Sequence, residues 1–569
     1  MIYYKLNSSN PTSQYIQINI DFEPTNEIEK IQLPSWRPGR YELGNFAKNV
    51  KGFKVTDESG KELEFTKITK DCWEVKVNSS NTVHIYYEYY ANELNAGSTY
   101  LSEEQLYVNP VNCLAYIVGR EKEAIDIELI IPSDYVIAGS LPIKGTTLTA
   151  ENFDELADSP FICSNTLQHD TYSVDDVIFH LWFQGEVKID WKRVLADFES
   201  FTKKQIEKFG SFPVEEYHYL IHITPNRTYH GVEHFRSTVI QLGPSHSVFN
   251  EFYSDLLGVC SHELYHTWNV KSIRPIEMYP YNFTKENYSN LGYLCEGVTT
   301  YMGDLFLLKS HVFSLDEYIK ELSTQIQKHI DNGGRFNYSV AQSSFDTWLD
   351  GYVPGAPQRK VSIYTEGCLI SFMLDVMIIV NSEGNHSLDN VMTELYTDYY
   401  MKGKGVSESN YKTTLEKYTQ TSLDTFYEDY IYGKRDFLPL LSETLKLIGF
   451  DLKFKPTGKA SQDILGIKTI PQNNNLVIKS ILSNSAAANS SLMLEDEIIA
   501  LNRFETNLEL DKWLNHFTKK ELVLLVKRKG KYVDINITNS KSNAFQEVLI
   551  SQIKNPNLEQ QSFFTKWSN

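Results

Sequence analysis

The chain has 569 residues and a formal net charge of −19. That length calls for two to four domains with their own cores, and the acidity disfavours nucleic acid or anionic lipid as a partner. The six cysteines (Cys72, Cys113, Cys163, Cys260, Cys295 and Cys368) are scattered. The start MIYYKLNSSN has no basic stretch leading into an apolar run. The reading is therefore a cytoplasmic protein with reduced thiols, or a periplasmic or secreted one if a signal peptide has been removed ahead of Met1. No apolar run approaches the roughly 20 residues of a membrane helix, DVMIIV being too short, so no membrane span is expected.

Residues 1–180 carry short alternating runs, YIQINIDFEP, TVHIYYEYYA and IDIELIIPS, separated by Pro, Gly and Asn. This pattern predicts an antiparallel, sandwich-like β domain. Over 181–449 the period turns helical, as in NEFYSDLLGVCSHELYHTW and YTEGCLISFMLDVMIIV, which predicts a mostly α domain. EYHYLIHITP and STVIQLGPS add a small sheet to it. Residues 450–545 return to short strands, LVIKSIL, DEIIALN, ELVLLVKR and YVDINIT, and 546–569 read as a polar tail. The fold class is multidomain α+β.

His262-Glu263-Leu264-Tyr265-His266 lies in a helical stretch, where four residues advance the helix by about 400° and bring both imidazoles to one side. Two nitrogens can then meet one ion, with Glu263 beside them to act as general base. The bland alternative is two histidines on a polar helix face. A catalytic zinc takes three protein ligands and leaves a fourth position to water. Glu296 follows about 30 residues later inside the apolar stretch LGYLCEGV, where a carboxylate is costly unless paired or bound to metal. Glu277 and Glu286 are rival ligands in irregular segments.

These residues resemble a known family, the PDZ-containing glycyl aminopeptidases, related to aminopeptidase N and leukotriene A4 hydrolase. HELYHTWNVKSIRP is similar to the family's zinc helix and the segment leaving it, and TKENYSNLGYLCEGVTTY to its third-ligand region. The resemblance implies a thermolysin-like catalytic domain with one Zn2+ on His262, His266 and Glu296. Tyr229-His230-Gly231-Val232-Glu233-His234 resembles the strand motif whose Glu holds the substrate's free amine. It implies Glu233 as that anchor, with Gly231 and His234 also touching substrate, although His230 stands where the family carries a glycine. Ile363-Tyr364-Thr365-Glu366-Gly367 resembles the segment whose Tyr donates to the oxyanion, which implies Tyr364 in that role. LPSWRPGRYELGNFAKNV is similar to the family's amino-terminal signature. Leu465 to Ile499 looks like a PDZ domain, with Glu495 in place of a common Gly and with Asn489 and Ser490 near a usual Ala-Gly.

The expected activity is removal of the amino-terminal residue from free-amine peptides, with small residues such as Gly or Ala favoured. The expected partners are peptide substrates and a peptide carboxy terminus at the PDZ domain. The alternatives are a zinc endopeptidase fed by the PDZ domain and a catalytically silent peptide-binding protein.

Overall fold

Alternation in the amino-terminal third has the period of half-buried strands, and it folds into three sheets. The computed structural model describes residues 2–77, 81–352, 355–517, 521–537 and 543–569. Tyr15–Phe22 and Val83–Tyr90 bury every second side chain and pair antiparallel, Ile18 opposite Tyr87 and Ile20 opposite Ile85. They belong to a seven-stranded sheet. Its inner face and two four-stranded sheets share one core, which includes Ile18, Ile85, Trp73 and Phe153. One pairing departs from the antiparallel expectation: Ile2–Asn7 runs parallel to Ile125–Ile130.

A second, larger core belongs to the helical middle of the chain. Its sheet has five strands in the order Gln168–Val174, Val177–Gln184, Glu216–Ile223, Ser237–Gly243, Thr228–Glu233. The expected boundary at residue 180 thus falls inside a strand. His180 pairs with Thr171 on one side and His218 on the other, so this body begins near Gln168. Among the described residues Thr228–Glu233 is an edge strand, antiparallel to Ser237–Gly243, and it lies beside the helix Tyr253–Tyr265.

Ile363–Asn381 is a 19-residue helix long and apolar enough to cross a membrane, and 83% of its most apolar window is buried in the protein. The expectation that no apolar run approaches that length missed it, because Glu366 and Asp375 interrupt the run. Both are buried beside partners, Glu366 with His329 and Asp375 with Tyr301.

The third core gathers Leu465, Ile478, Ile498, Leu514 and Leu524 under an antiparallel sheet running from Ile467–Gln472 to Lys531–Ile537. Residues 546–569 are not a free tail. Gln546–Gln552 pairs with Phe450–Pro456, and the helix Leu558–Ser568 returns to the helical middle, where Trp567 is fully buried.

Candidate metal centre and its cavity

The ligand helix Tyr253–Tyr265 carries His262 in its last turn, and His266 continues the right-handed helical backbone one position beyond its end. The two imidazoles present Nε2 to Nε2 at 3.0 Å. The third group arrives on Tyr293–Val298, a π-helical turn that leads into the helix Thr299–Lys309. Such widened turns concentrate at functional sites. Glu296 Oε2 stands 3.4 Å from His266 Nε2 and 3.9 Å from His262 Nε2. Ligands of a tetrahedral ion at about 2.0–2.2 Å stand about 3.3–3.6 Å apart, so the three donors already have the spacing of one coordination face. Glu277 hydrogen-bonds Ser289, and neither it nor Glu286 joins the cluster.

Asn269 ties two of the ligands together, and nothing in the sequence had singled it out. Its backbone carbonyl accepts from His266 Nδ1 at 2.7 Å, which leaves the Nε2 lone pair free for a cation. Its side-chain amide donates to the carbonyls of Leu294 and Cys295 at 2.8 and 3.2 Å, which fixes the turn that holds Glu296.

The centre opens into a cavity of about 750 Å³. Four buried carboxylates line it; Glu366 is paired with His329, whereas Glu233, Glu263 and Glu296 each keep one oxygen without a hydrogen-bond partner. Burial, with the neighbouring carboxylates, pushes Glu263 well above the usual range and raises Glu233. Burial disfavours a proton on His266, but Glu296 and Glu233 outweigh it and carry that imidazole up to about 10. His262, partly buried and close to His266, is pushed well below its usual value by desolvation and then by that neighbour. The electrostatics call for positive charge at this point, and two imidazoles with a carboxylate and orphaned buried oxygens fit a divalent ion.

Gly231 lies in the edge strand directly over Glu263, and a Cβ there would collide with the Glu263 carboxylate. Glu233 ends the same strand and is 3% exposed. Gly39, from WRPGR of the amino-terminal domain, closes over it, and a Cβ at that position would lie 2.5 Å from Glu233 Oε2. Gly39 also takes a positive φ of 84°, which glycine tolerates.

Tyr364 occupies the first turn of Ile363–Asn381, where Ser362 caps the helix, with its ring centroid 6.4 Å from that of His262. Burial, reinforced by Glu296, pushes its phenol well above the ordinary value and keeps it a donor. Its hydroxyl lies 3.2 Å from that of Tyr352, a second cavity tyrosine that the sequence did not pick out from 36. Arg40 stands over the Tyr352 ring at 4.9 Å.

His234 lies outside the cavity lining. Its Nδ1 is 3.0 Å from Asp158 Oδ1, which also receives Lys271 at 2.7 Å. His234 therefore belongs to the seam between the first two domains rather than to the substrate side. His230 does line the cavity, and burial with Arg37 and Arg40 lowers it to about 4, so it is neutral at neutral pH.

A further group, His180, Glu216 and His218, clusters on the sheet face. His218 Nδ1 accepts the indole N–H of Trp182 at 3.2 Å. Its own proton then sits on Nε2, the atom facing Glu216, so that nitrogen has no lone pair for an ion.

Residues 3–165 match the family model described as the peptidase M61 N-terminal domain, and residues 255–370 match that of the M61 glycyl aminopeptidase. No curated protein matches the sequence. An aminopeptidase N family protein from Idiomarina loihiensis is similar over 100% of both chains, with a TM-score of 0.92 and 24% identity, a likeness of fold. An M1 zinc metallopeptidase from Deinococcus radiodurans, bound to a Tyr-Ser-Ala substrate, covers 76% of this chain and 94% of its own. Its TM-score is 0.46 and its identity 12%, too distant to carry an argument. The chain carries the N-terminal and glycyl aminopeptidase domains of the M61 family and is a metallopeptidase.

Proposed function

We propose that this protein is a zinc aminopeptidase that hydrolyses the first peptide bond of peptides with a free amine. One observation carries the reading: three buried carboxylates, Glu233, Glu263 and Glu296, share a cavity with two imidazoles, each keeps an unpartnered oxygen, and among the described residues no Lys or Arg pairs with any of them. A divalent ion and one substrate ammonium would supply the positive charge that keeps all three ionised.

His262, His266 and Glu296 would hold the zinc, which supplies Lewis acidity and lowers the pKa of water toward about 7. Glu263, under Gly231, takes the proton from the attacking water and passes it to the leaving nitrogen. Glu233 at the end of the edge strand pairs with the α-ammonium, so the scissile bond is one residue in. Tyr364 donates to the oxygen that gains charge in the transition state, a term worth a few kcal/mol. Gly39 and Tyr352 crowd the amine end, which favours small first residues such as glycine or alanine.

The region around Leu465 to Ile537 is proposed as a PDZ domain, with the edge strand Ile467–Gln472 offering unpaired backbone to a peptide carboxy terminus. Glu495 there adopts a φ of 68°, the left-handed backbone suited to the glycine it replaces.

The test is Glu233→Ala assayed on a free-amine peptide and on its amino-acetylated counterpart, with zinc content measured in parallel. The expected outcome is retained zinc and a loss of about 100-fold or more in kcat/KM on the free-amine peptide alone. Wild-type turnover of the blocked peptide as fast as the free one would establish an endopeptidase and sink the reading.

A further inference from the structure

The cavity extends well past the metal ligands. Beyond His262 it runs between the amino-terminal half of Tyr253–Tyr265, the helix Thr299–Lys309 and the helix Leu315–Asp331. Asp304 and Glu321 line this reach, and among the described residues neither carboxylate has a hydrogen-bond or ion-pair partner. Two further acids line the cavity on this side, Asp255, occupied by Arg227 at 2.5 Å, and Glu366, occupied by His329 at 2.7 Å. Lys328, exposed and two turns beyond Glu321, joins no ion pair among the described residues.

Position along the helices sets the distance from the chemistry. Asp304 is eight residues past Glu296, about 12 Å along the axis, and Gly258 is one turn, about 6 Å, before His262. A Cβ on Gly258 would stand 3.8 Å from Asp304 Oδ1. The Asp304 carboxylate therefore lies over the ligand helix one turn from His262. Because Gly258 has no side chain, the path between them is open. A lysine side chain spans about 6 Å when extended, which matches that step.

The edge strand gives the direction. Glu233 marks the amine end, and the strand leads back through Gly231, His230 and Tyr229 toward Arg227, all of which line the cavity. A peptide laid along this edge carries its second residue away from Glu233, toward Asp304 and Glu321. Glu263, 5% exposed with an unpartnered Oε2, lines the same cavity, so the acidic pair and the metal centre share one continuous space.

We propose that Asp304 and Glu321 form the pocket for the residue that follows the scissile bond and that they select a cationic side chain there, lysine or arginine. Which substrate residue enters rests on the aminopeptidase reading above. Burial and the charge of Glu321 hold the Asp304 carboxyl up at about 8, and an ammonium or guanidinium between the two removes that cost.

The experiment compares Ala-Lys-amide, Ala-Leu-amide and Ala-Glu-amide on the zinc-loaded full chain. The expected kcat/KM is at least 10-fold higher for Ala-Lys-amide than for Ala-Leu-amide. That ratio should fall to about one in the Asp304→Asn, Glu321→Gln double variant, and Asp304→Lys should shift preference toward Ala-Glu-amide. Equal wild-type values, or a ratio that survives the double variant, would overturn the pocket. Calorimetric binding of the same amides to Glu263→Gln separates the two readings. If wild type cleaves none of them, the aminopeptidase assignment falls, while equal affinity for the lysine and leucine amides is what would overturn the acidic pocket.

Discussion

Glu263 keeps its place because the residue above it has no side chain. In Gly231→Ala the new methyl must displace either the strand or the carboxylate, and the buried carboxylate is the softer of the two. The strand is locked in register, Gly231 opposite Ile240. The expected outcome is a loss of about 100-fold in kcat with zinc still bound, since general-base catalysis is worth about 10²–10⁴ while the three ligands are untouched. Single-turnover rates and metal content on the same preparation check it, and wild-type kcat would mean that Glu263 is not held from above. At this scale the sequence carried a good deal. The two histidines follow from i, i+4 spacing, and Glu296 follows from the cost of a carboxylate in an apolar stretch. Gly231 and Tyr364 were readable only by resemblance. Asn269, Tyr352 and Gly39 were not legible, because each reaches the centre through tertiary packing that leaves no periodic trace, Gly39 from another domain altogether.

Between elements, one carboxylate ties the edge strand and the segment after the ligand helix to the amino-terminal domain. Asp158, in the short turn after Phe153–Ala157, receives Lys271 at 2.7 Å, His234 at 3.0 Å and the backbone N–H of Phe235 at 2.9 Å. Lys271 follows the metal helix and is 3% exposed, while His234 follows Glu233. Burial alone would raise the Asp158 carboxyl, but Lys271 and then His234 outweigh it and hold it below the usual range. A carboxylate depressed in the folded state stabilises the protein above its unfolded pKa, and that contribution is lost as pH falls through the folded value. Asp158→Asn leaves an ammonium buried without its counterion, at a cost of about 3–5 kcal/mol. The variant should unfold at lower denaturant concentration at pH 7. Its deficit against wild type should shrink only when the pH drops below the ordinary carboxylate range. An equal deficit at pH 7 and pH 2 would assign the loss to packing. None of these three contacts was legible in the sequence, since Asp158 and Lys271 are 113 residues apart and no local pattern links them.

Across the whole molecule, the end of the chain supports the segment that begins with Glu296. Residues 546–569 read as a polar tail because LEQQSFFTKWS has few apolar residues and only a weak amphipathic pattern. What places it is one large side chain: Trp567 is fully buried, packs on Phe372 and Tyr318, and donates its indole N–H to the Tyr301 hydroxyl at 2.9 Å. Tyr301 in turn donates to Asp375 at 2.5 Å. Tyr301 stands five residues after Glu296, on the helix that continues the ligand turn, so the last helix braces the third ligand from behind. Trp567→Ala opens a cavity and strips a partner from a buried hydroxyl, at about 3–5 kcal/mol. For the helical body this corresponds to a drop of roughly 6–20 °C in the unfolding midpoint, with wild-type kcat at low temperature because no cavity residue is touched. Calorimetry on the full chain measures it. A midpoint within about 2 °C of wild type would mean that the carboxy-terminal helix only rests on the catalytic body without holding it together.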